Sequence, residues 1–294
     1  MISSHSPLGK PPWLRRHLAA AGATRRVDQA LAQLRLHTVC QEAHCPNQGE
    51  CYGRGTATFL LLGPSCTRAC AFCAVGHGRP SPVDPDEPRR VAQAAAKLGL
   101  DYCVLTMVTR DDLADGGAGL VARTVRALGR ARPAMAVEAL VSDLGGDPRA
   151  LELVLAAGPQ VLNHNLETVP RLYERVRPGA DYNRSLDLLA RTAEPGRELV
   201  TKSGLMLGLG ERPDEVSAVM DDLLAAGCRV LTLGQYLAPS AEHHPVVEYL
   251  HPDRFAALAE TARAKGFVAV ASGPYVRSSY RAQDLYRRAL ERRS

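Results

Sequence analysis

A chain of 294 residues, 46% of them hydrophobic and 23% charged, can bury a full core and is too apolar to be a disordered segment. The net charge of +5 is spread along the chain, which argues against a nucleic-acid interface; only the pairs Arg287/Arg288 and Arg292/Arg293 cluster, and a terminal run of that kind reads as a solvated helix face. No run of about 18 apolar residues predicts a membrane span, and no apolar signal core follows a charged start, so the default compartment is cytoplasmic. An organellar leader in the acid-free, basic first 27 residues (Lys10, Arg15, Arg16, Arg25, Arg26) is the weaker alternative, because Pro11-Pro12-Trp13-Leu14 interrupts an amphipathic helix early.

Residues 1–36 read as basic and partly helical, with a turn near Gly9 to Pro12. Residues 40–55, rich in Cys, Gly and Pro, read as an ordered loop. An alternation then begins. Ala57 to Leu62 is a strand-like run, Val91 to Leu98 a helix, Tyr102 to Met107 a strand, Leu120 to Leu128 a helix and Met135 to Leu140 a strand. Pro148 to Ala157 is a helix stopped by Gly158, followed by the strand Val161 to Asn163. Helical stretches follow at Val169 to Val176 and Ser185 to Thr192. The strand Leu199 to Leu207, the helix Pro213 to Ala226, the strand Arg229 to Leu233, the helix Pro252 to Ala264 and the strand Val268 to Ala271 complete the series.

Strands alternating with helices of this length predict βαβ units on a parallel sheet. About six repeats predict an α/β fold built as a partial (β/α)6 TIM-like barrel, with extensions at both ends. The divisions fall at 1–55, 56–272 and 273–294. Chemistry on such a barrel gathers where strands end, which nominates Thr109, Asn165, Glu167, Glu211 and Gln235.

Eight cysteines in a chain with no export signal are not a disulfide framework, and six of them lie between residues 40 and 73. Cys66, Cys70 and Cys73 have the spacing C-x3-C-x2-C directly after the first predicted strand. Soft thiolates select zinc, copper or iron–sulfur clusters. Structural zinc wants four protein ligands, commonly as two separated pairs, and this triplet fits that poorly. It resembles the signature of radical S-adenosylmethionine (SAM) enzymes. That resemblance implies a four-iron cluster held by three thiolates, its open iron chelating SAM. The reduced cluster would cleave SAM to methionine and a 5′-deoxyadenosyl radical in a site closed to water.

Cys40, Cys45 and Cys51 form a second triplet, C-x4-C-x5-C, ending 15 residues before the first. A zinc site completed by His44 is disfavoured, since adjacent His44 and Cys45 would struggle to face one metal. Around these cysteines, Thr38-Val39-Cys40, Cys45-Pro46-Asn47, Gly49-Glu50-Cys51, Gly55-Thr56-Ala57-Thr58-Phe59 and Leu62-Gly63-Pro64-Ser65-Cys66-Thr67-Arg68 resemble the lipoyl synthase family. So do Asn163-His164-Asn165-Leu166-Glu167-Thr168, Val176-Arg177-Pro178-Gly179-Ala180, Thr201-Lys202-Ser203-Gly204, Gly208-Leu209-Gly210-Glu211, Gln235-Tyr236-Leu237 and the closing Gly273 to Tyr280, which contains Arg277-Ser278-Ser279-Tyr280. The resemblance runs from Lys10 to about Tyr280. Gln41 stands where an acid is common and Tyr52 where Trp is common; neither removes a ligand.

The resemblance implies two 4Fe-4S clusters: one on Cys66, Cys70 and Cys73, and an auxiliary one on Cys40, Cys45 and Cys51 with Ser278 as fourth ligand. By chemistry alone Ser278 would read as a loop or capping hydroxyl. The implied activity is that of a sulfurtransferase. It would insert two sulfur atoms at C6 and C8 of an octanoyl chain amide-linked to a lysine of a lipoyl carrier domain, with the auxiliary cluster as donor and one SAM used per C–H bond. Implied partners are octanoylated carrier domains (2-oxoacid dehydrogenase E2 or glycine-cleavage H protein), a low-potential electron donor and an iron–sulfur carrier for cluster repair, with no nucleic acid and no membrane. Asn165, Glu167 and Lys202 are the expected SAM contacts, and Gly208 to Glu211 could let backbone approach the adenosine. His164 reads as structural, and Cys103 and Cys228 as buried small hydrophobes.

Three other readings compete. A methylthiotransferase-like enzyme lacks its appended RNA-binding domain here. A biotin-synthase-like sulfur inserter has a different auxiliary ligand pattern. A non-enzymatic zinc module that binds nucleic acid predicts a colourless, iron-free protein.

Overall fold

The structure, a computed structural model, describes residues 9–15 and 24–291. Arg16, Arg292 and Arg293, with most of the residues weighed as a leader, lie outside the described residues.

After a single 3-10 turn at Pro12–Leu14, α1 (Arg25–Leu34) buries Val27, Ala30 and Leu31, the i, i+3, i+4 stripe of an amphipathic helix. Next come β1 (His37–Thr38), α2 (Val39–Glu42) and α3 (Gln48–Gly53). The segment expected as a loop thus contains two short helices. They are too short to show a period, and local bonds set them: Thr38 Oγ1 accepts the Gln41 N–H at the start of α2, and the Asn47 carbonyl accepts the Cys51 N–H in α3.

The rest alternates as expected. In chain order it comprises β2 (Thr58–Leu61), β3 (Ser65–Cys66), β4 (Gly76–His77), α4 (Glu87–Leu98), β5 (Tyr102–Met107), α5 (Ala118–Ala131), β6 (Ala136–Leu140), α6 (Pro148–Leu155) and β7 (Val161–Asn163). Then follow α7 (Tyr173–Val176), α8 (Tyr182–Thr192), β8 (Val200–Leu207), α9 (Pro213–Ala225), β9 (Val230–Gln235), α10 (Pro252–Lys265), β10 (Ala269–Gly273) and α11 (Ala282–Glu291). The main sheet is ordered β1-β2-β5-β6-β7-β8-β9-β10. All its ladders are parallel except β1 with β2. From β2 to β10 the chain makes the six expected helical crossovers, and β10 adds one further parallel strand. Among the described residues no ladder joins β10 back to β1 or β2, so the barrel is open.

Strands β2, β5 and β9 are buried along their whole length, as strands covered on both faces must be. One core cluster joins the β2–β7 half to α4, α5 and α6 and includes Val27, Leu31, Cys40 and Tyr52, so the N-terminal extension shares the barrel's core. A second fills the β8–β10 half. In a third, Ala282, Leu285 and Ala289 of α11 pack on the first residues of the strands: Tyr102, Val161, Val200, Val230 and Ala269. Each large side chain so buried contributes roughly 1.5–3 kcal/mol. With α11 plugging the N-terminal end, the functional cavity lies at the opposite end. No described helix is long and apolar enough to cross a membrane.

Candidate functional site

The first triplet follows a sharp turn after β2, where Leu62 and Gly63 both take positive φ (71° and 84°). The turn is fastened from α4: the Leu62 N–H donates to Glu87 Oε2 at 3.0 Å. Cys66 lies on β3, and its sulfur accepts the N–H groups of Arg68 (3.4 Å) and Thr109 (3.3 Å). The Ala71 N–H donates to Val176 O (2.9 Å), and the Ala71 carbonyl accepts the His244 N–H (2.7 Å). Arg68, between the first two cysteines, holds Asp111 at 2.7 and 2.9 Å and Asp143 at 2.8 and 2.9 Å. The loop is therefore built to hold its shape.

The second triplet sits opposite, Cys40 on α2 and Cys51 on α3 with Cys45 between them. Burial pushes the Cys40 thiol up to about 12; the Thr58 backbone opposes this, and Cys45 and Cys51 add to it. Burial likewise pushes Cys73 up to about 12, with Val75 backbone opposing and Cys70 and Cys66 adding. Such thiols keep their protons at neutral pH unless a metal replaces them. The donor set is soft sulfur in two groups of three, which fits iron–sulfur clusters. Among the described residues no three His, Cys, Asp or Glu side chains converge as ligands of one ion do. Cluster thiolates each take a different iron and do not need to converge.

Both triplets face one cavity of about 490 Å³. Cys40, Cys45, Cys66, Cys70, Cys73 and Ser278 line it, and Cys51 stands half-buried against the core beside them. Part of the lining is a polar wall. Ser278 Oγ donates to Asn165 Oδ1 (2.7 Å), and Asn165 Nδ2 donates to Glu167 Oε1 (2.9 Å). Glu167 takes φ 65°, held by its N–H on Gly204 O (3.0 Å) and its carbonyl on Met206 N (2.8 Å). A non-glycine residue there stores about 1–3 kcal/mol of strain, which is common at functional sites. Burial raises the Glu167 carboxyl, with Arg177 and Asn165 opposing. Arg177 Nη1 donates to the Asn165 and Leu166 carbonyls and to Tyr173 Oη at 2.9–3.0 Å. Two buried nitrogens on this wall, Arg177 Nε and His164 Nε2, have no partner within the protein. Both belong to residues that line the cavity, but the two nitrogens themselves are closed off from it. His164 Nδ1 bonds Val141 O at 2.9 Å.

Of the nominated residues, Thr109, Asn165, Glu167 and Ser278 meet in the cavity. Lys202 does not: its ammonium is buried away from the cavity, on Glu138 and on the Ser278 carbonyl, and its three protons are all used. Glu211 turns onto its own loop, accepting Gly208 N (2.6 Å) and Leu209 N (2.9 Å), so Gly208 to Glu211 offers no backbone to an adenosine. Gln235 binds Leu207, Tyr236 and Glu248 carbonyls and is structural. Cys103 and Cys228 are fully buried. Arg68 and Arg177 were not singled out by sequence, although both lie inside quoted motifs.

Residues 60–223 match the radical SAM superfamily model. A lipoyl synthase of Desulfotalea psychrophila is 51% identical over 96% of this chain and 94% of its own length. One of Trichlorobacter lovleyi is 57% identical over 93% of this chain and 97% of its own. The chain belongs to the lipoyl synthase family. Two solved structures share its fold at low identity. HydG, a maturase of the [FeFe]-hydrogenase, superposes with TM-score 0.59 at 12% identity, covering 84% of this chain and 63% of that one. Methylornithine synthase gives 0.55 at 13% identity, covering 85% and 71%. A lipoyl synthase is a sulfur-inserting radical SAM enzyme, so a 4Fe-4S cluster and SAM belong to this chain's chemistry.

Proposed function

We propose that this lipoyl synthase inserts sulfur at C6 and C8 of an octanoyl chain carried on a lysine of a lipoyl carrier domain, and that the two triplets hold separate four-iron clusters. The observation that carries this reading is that Cys66, Cys70 and Cys73, two cysteines of the second triplet (Cys40 and Cys45) and Ser278 border the same cavity. Cys66, Cys70 and Cys73 would hold the cluster that binds SAM. Cys40, Cys45, Cys51 and Ser278 would hold the auxiliary one, so that 1–55 and 273–294 each bring ligands to the 56–272 barrel. The chemistry supplied at the first triplet is one-electron reduction of a sulfonium, and at the second a source of sulfide.

The protein's part is to hold and orient. Asn165, Glu167 and Arg177 form the SAM subsite: the carboxylate of Glu167 suits an ammonium and Arg177 suits a carboxylate. Phe72, Met206, Tyr236 and Leu237 supply apolar wall for an alkyl chain and keep water from the reacting carbon. The partners follow from this chemistry: an octanoylated E2 or H protein, a low-potential reductant and an iron–sulfur carrier. The reducing cytoplasm suits free thiols.

The test is anaerobic reconstitution with iron and sulfide, then SAM, a strong reductant and an octanoyl-lysine peptide, followed by mass spectrometry. A peptide gaining two sulfurs with two 5′-deoxyadenosines per product is expected. Deoxyadenosine without sulfur transfer would overturn the substrate assignment.

A further inference from the structure

Below the cavity lies a group of polar side chains that the proposed chemistry does not use. Lys202 is 1% exposed and Glu138 0%. Lys202 Nζ donates to Glu138 Oε1 (2.8 Å), Glu138 Oε2 (3.0 Å) and the backbone carbonyl of Ser278 (2.6 Å). Glu138 also accepts Tyr102 Oη (2.7 Å) and Asn163 Nδ2 (2.9 Å). Tyr102, Glu138, Asn163 and Lys202 come from β5, β6, β7 and β8, and ladder pairing sets Asn163 directly beside Lys202. A buried ion pair contributes little net stability, because desolvation offsets most of its attraction; its best-attested use is to specify geometry. Of the bonds described here, only the one to Ser278 leaves the strands.

The same stretch of chain is fitted closely on its other sides. At Gly204, two residues past Lys202, a Cβ would lie 2.4 Å from Thr232 Oγ1 and 3.1 Å from Ser278 Oγ. At Gly234 a Cβ would lie 2.1 Å from Val276 O. From the N-terminal extension, Asn47 Nδ2 donates to Tyr275 O (2.7 Å) and Glu50 accepts Tyr280 Oη (3.0 Å). Asn47 and Glu50 belong to the second triplet's own segment.

We infer that the Lys202–Glu138 pair is a latch that sets Ser278 in register with Cys40, Cys45 and Cys51. Lys202 and Glu138 are positioning residues, acting on the auxiliary site through the Ser278 main chain. The inference rests on the reading of Ser278 as the fourth ligand of that site. A purely structural pair would, when removed, weaken both clusters together. A latch weakens the auxiliary one alone.

The experiment uses the full chain before and after anaerobic reconstitution with iron-57 and sulfide. Lys202→Met/Glu138→Gln removes the latch without leaving a buried charge unpaired. Its auxiliary Mössbauer signature is expected to change while the other is retained and total iron holds, because three thiolates keep a four-iron cluster as they do at the first triplet. Amide exchange across 274–281 is expected to speed at least about tenfold, since local opening is read by that rate. A wild-type auxiliary signature together with wild-type exchange in the folded double variant overturns the latch, as does an equal change in both clusters. A measurement on wild type needs no variant: the latch predicts that 274–281 is already protected before iron is added, and free exchange there overturns it. Ser278→Ala separates the two readings. If it keeps both signatures, Ser278 is not a ligand, while slowed exchange of 274–281 by Lys202 still stands or falls on the double variant.

Discussion

Arg68 and Asp143 form a two-pronged ion pair, at 2.8 and 2.9 Å, that ties the loop joining Cys66 to Cys70 to the segment after β6. The Asp143 side chain is 1% exposed and that of Arg68 9%. Burial alone would raise the Asp143 carboxyl, but Arg68 outweighs it and holds the group below its ordinary value.

That pairing predicts how Arg68→Met depends on pH. In wild type a depressed carboxyl contributes stability that is full above the unfolded value near about 3.9 and is lost as pH falls through the folded value. With Arg68 gone, burial is weakly opposed and the carboxyl rises, so the penalty grows as pH rises through it. Arg68→Met is expected to cost about 3–5 kcal/mol at pH 7 and clearly less at pH 4, by denaturant titration. An equal cost at both pH values would show that the ion pair is not its source.

His164 predicts an acid limit of its own. Burial, with Arg177 nearby, lowers the ring to about 4 against the Val141 hydrogen bond. The folded state thus binds this proton less readily than the unfolded chain, whose value is about 6.5. Its contribution is full above the unfolded value and is lost as pH falls toward about 4, on the order of 3 kcal/mol in all. His164→Gln is expected to flatten that part of the stability profile of the cluster-free chain. An unchanged slope would acquit His164.

How far the sequence could be read depended on the kind of signal. The apolar runs at Tyr102 to Met107 and Arg229 to Leu233 read as strands from their composition and length, and the cysteine spacings stood out because metal ligands are set by local geometry. Lys202 was misplaced because a strand lysine looks the same whether it meets a ligand or a glutamate. Its partner Glu138 lies 64 residues away and reaches it only through the β6, β7 and β8 ladders. Gly208 looked like a loop for close ligand approach. In the fold a Cβ there would strike Gln235 Nε2 and Glu248 O at 2.3 Å, so its bareness serves packing. Helix α11 was legible only as a solvated face, because its buried stripe holds a single leucine, Leu285, among arginines.

Arg177 is expected to govern SAM affinity. Its Nη1 is committed to carbonyls and to Tyr173, and its buried Nε has no partner in the protein, on a residue that lines the cavity. A hydrogen bond from a charged donor contributes about 1.5–3 kcal/mol, or roughly ten- to a hundredfold in Kd. Arg177→Met should weaken SAM binding by that factor in equilibrium dialysis of the reconstituted chain, with iron content unchanged. Unaltered affinity would remove Arg177 from the subsite.

Gly234→Ala tests whether closeness of the C-terminal segment to β9 matters to chemistry and not only to folding. Gly234 has no positive φ, so alanine strains nothing in the backbone itself. The added methyl carbon must still displace Val276 O from 2.1 Å, and Val276 lies two residues before Ser278. Overpacking of this kind costs about 1–3 kcal/mol. Sulfur insertion is expected to fall at least tenfold while deoxyadenosine formation persists, because Cys66, Cys70 and Cys73 lie on a different loop. Gly129→Ala is the control: it sits in α5 with open space around its Cβ, and should gain about 0.5–1 kcal/mol with no change in either product. If Gly234→Ala lowers both products in parallel, the methyl acts through the barrel as a whole. If it spares both, the segment from Gly273 to Tyr280 tolerates displacement, and Ser278 does not need the close fit that Gly234 allows.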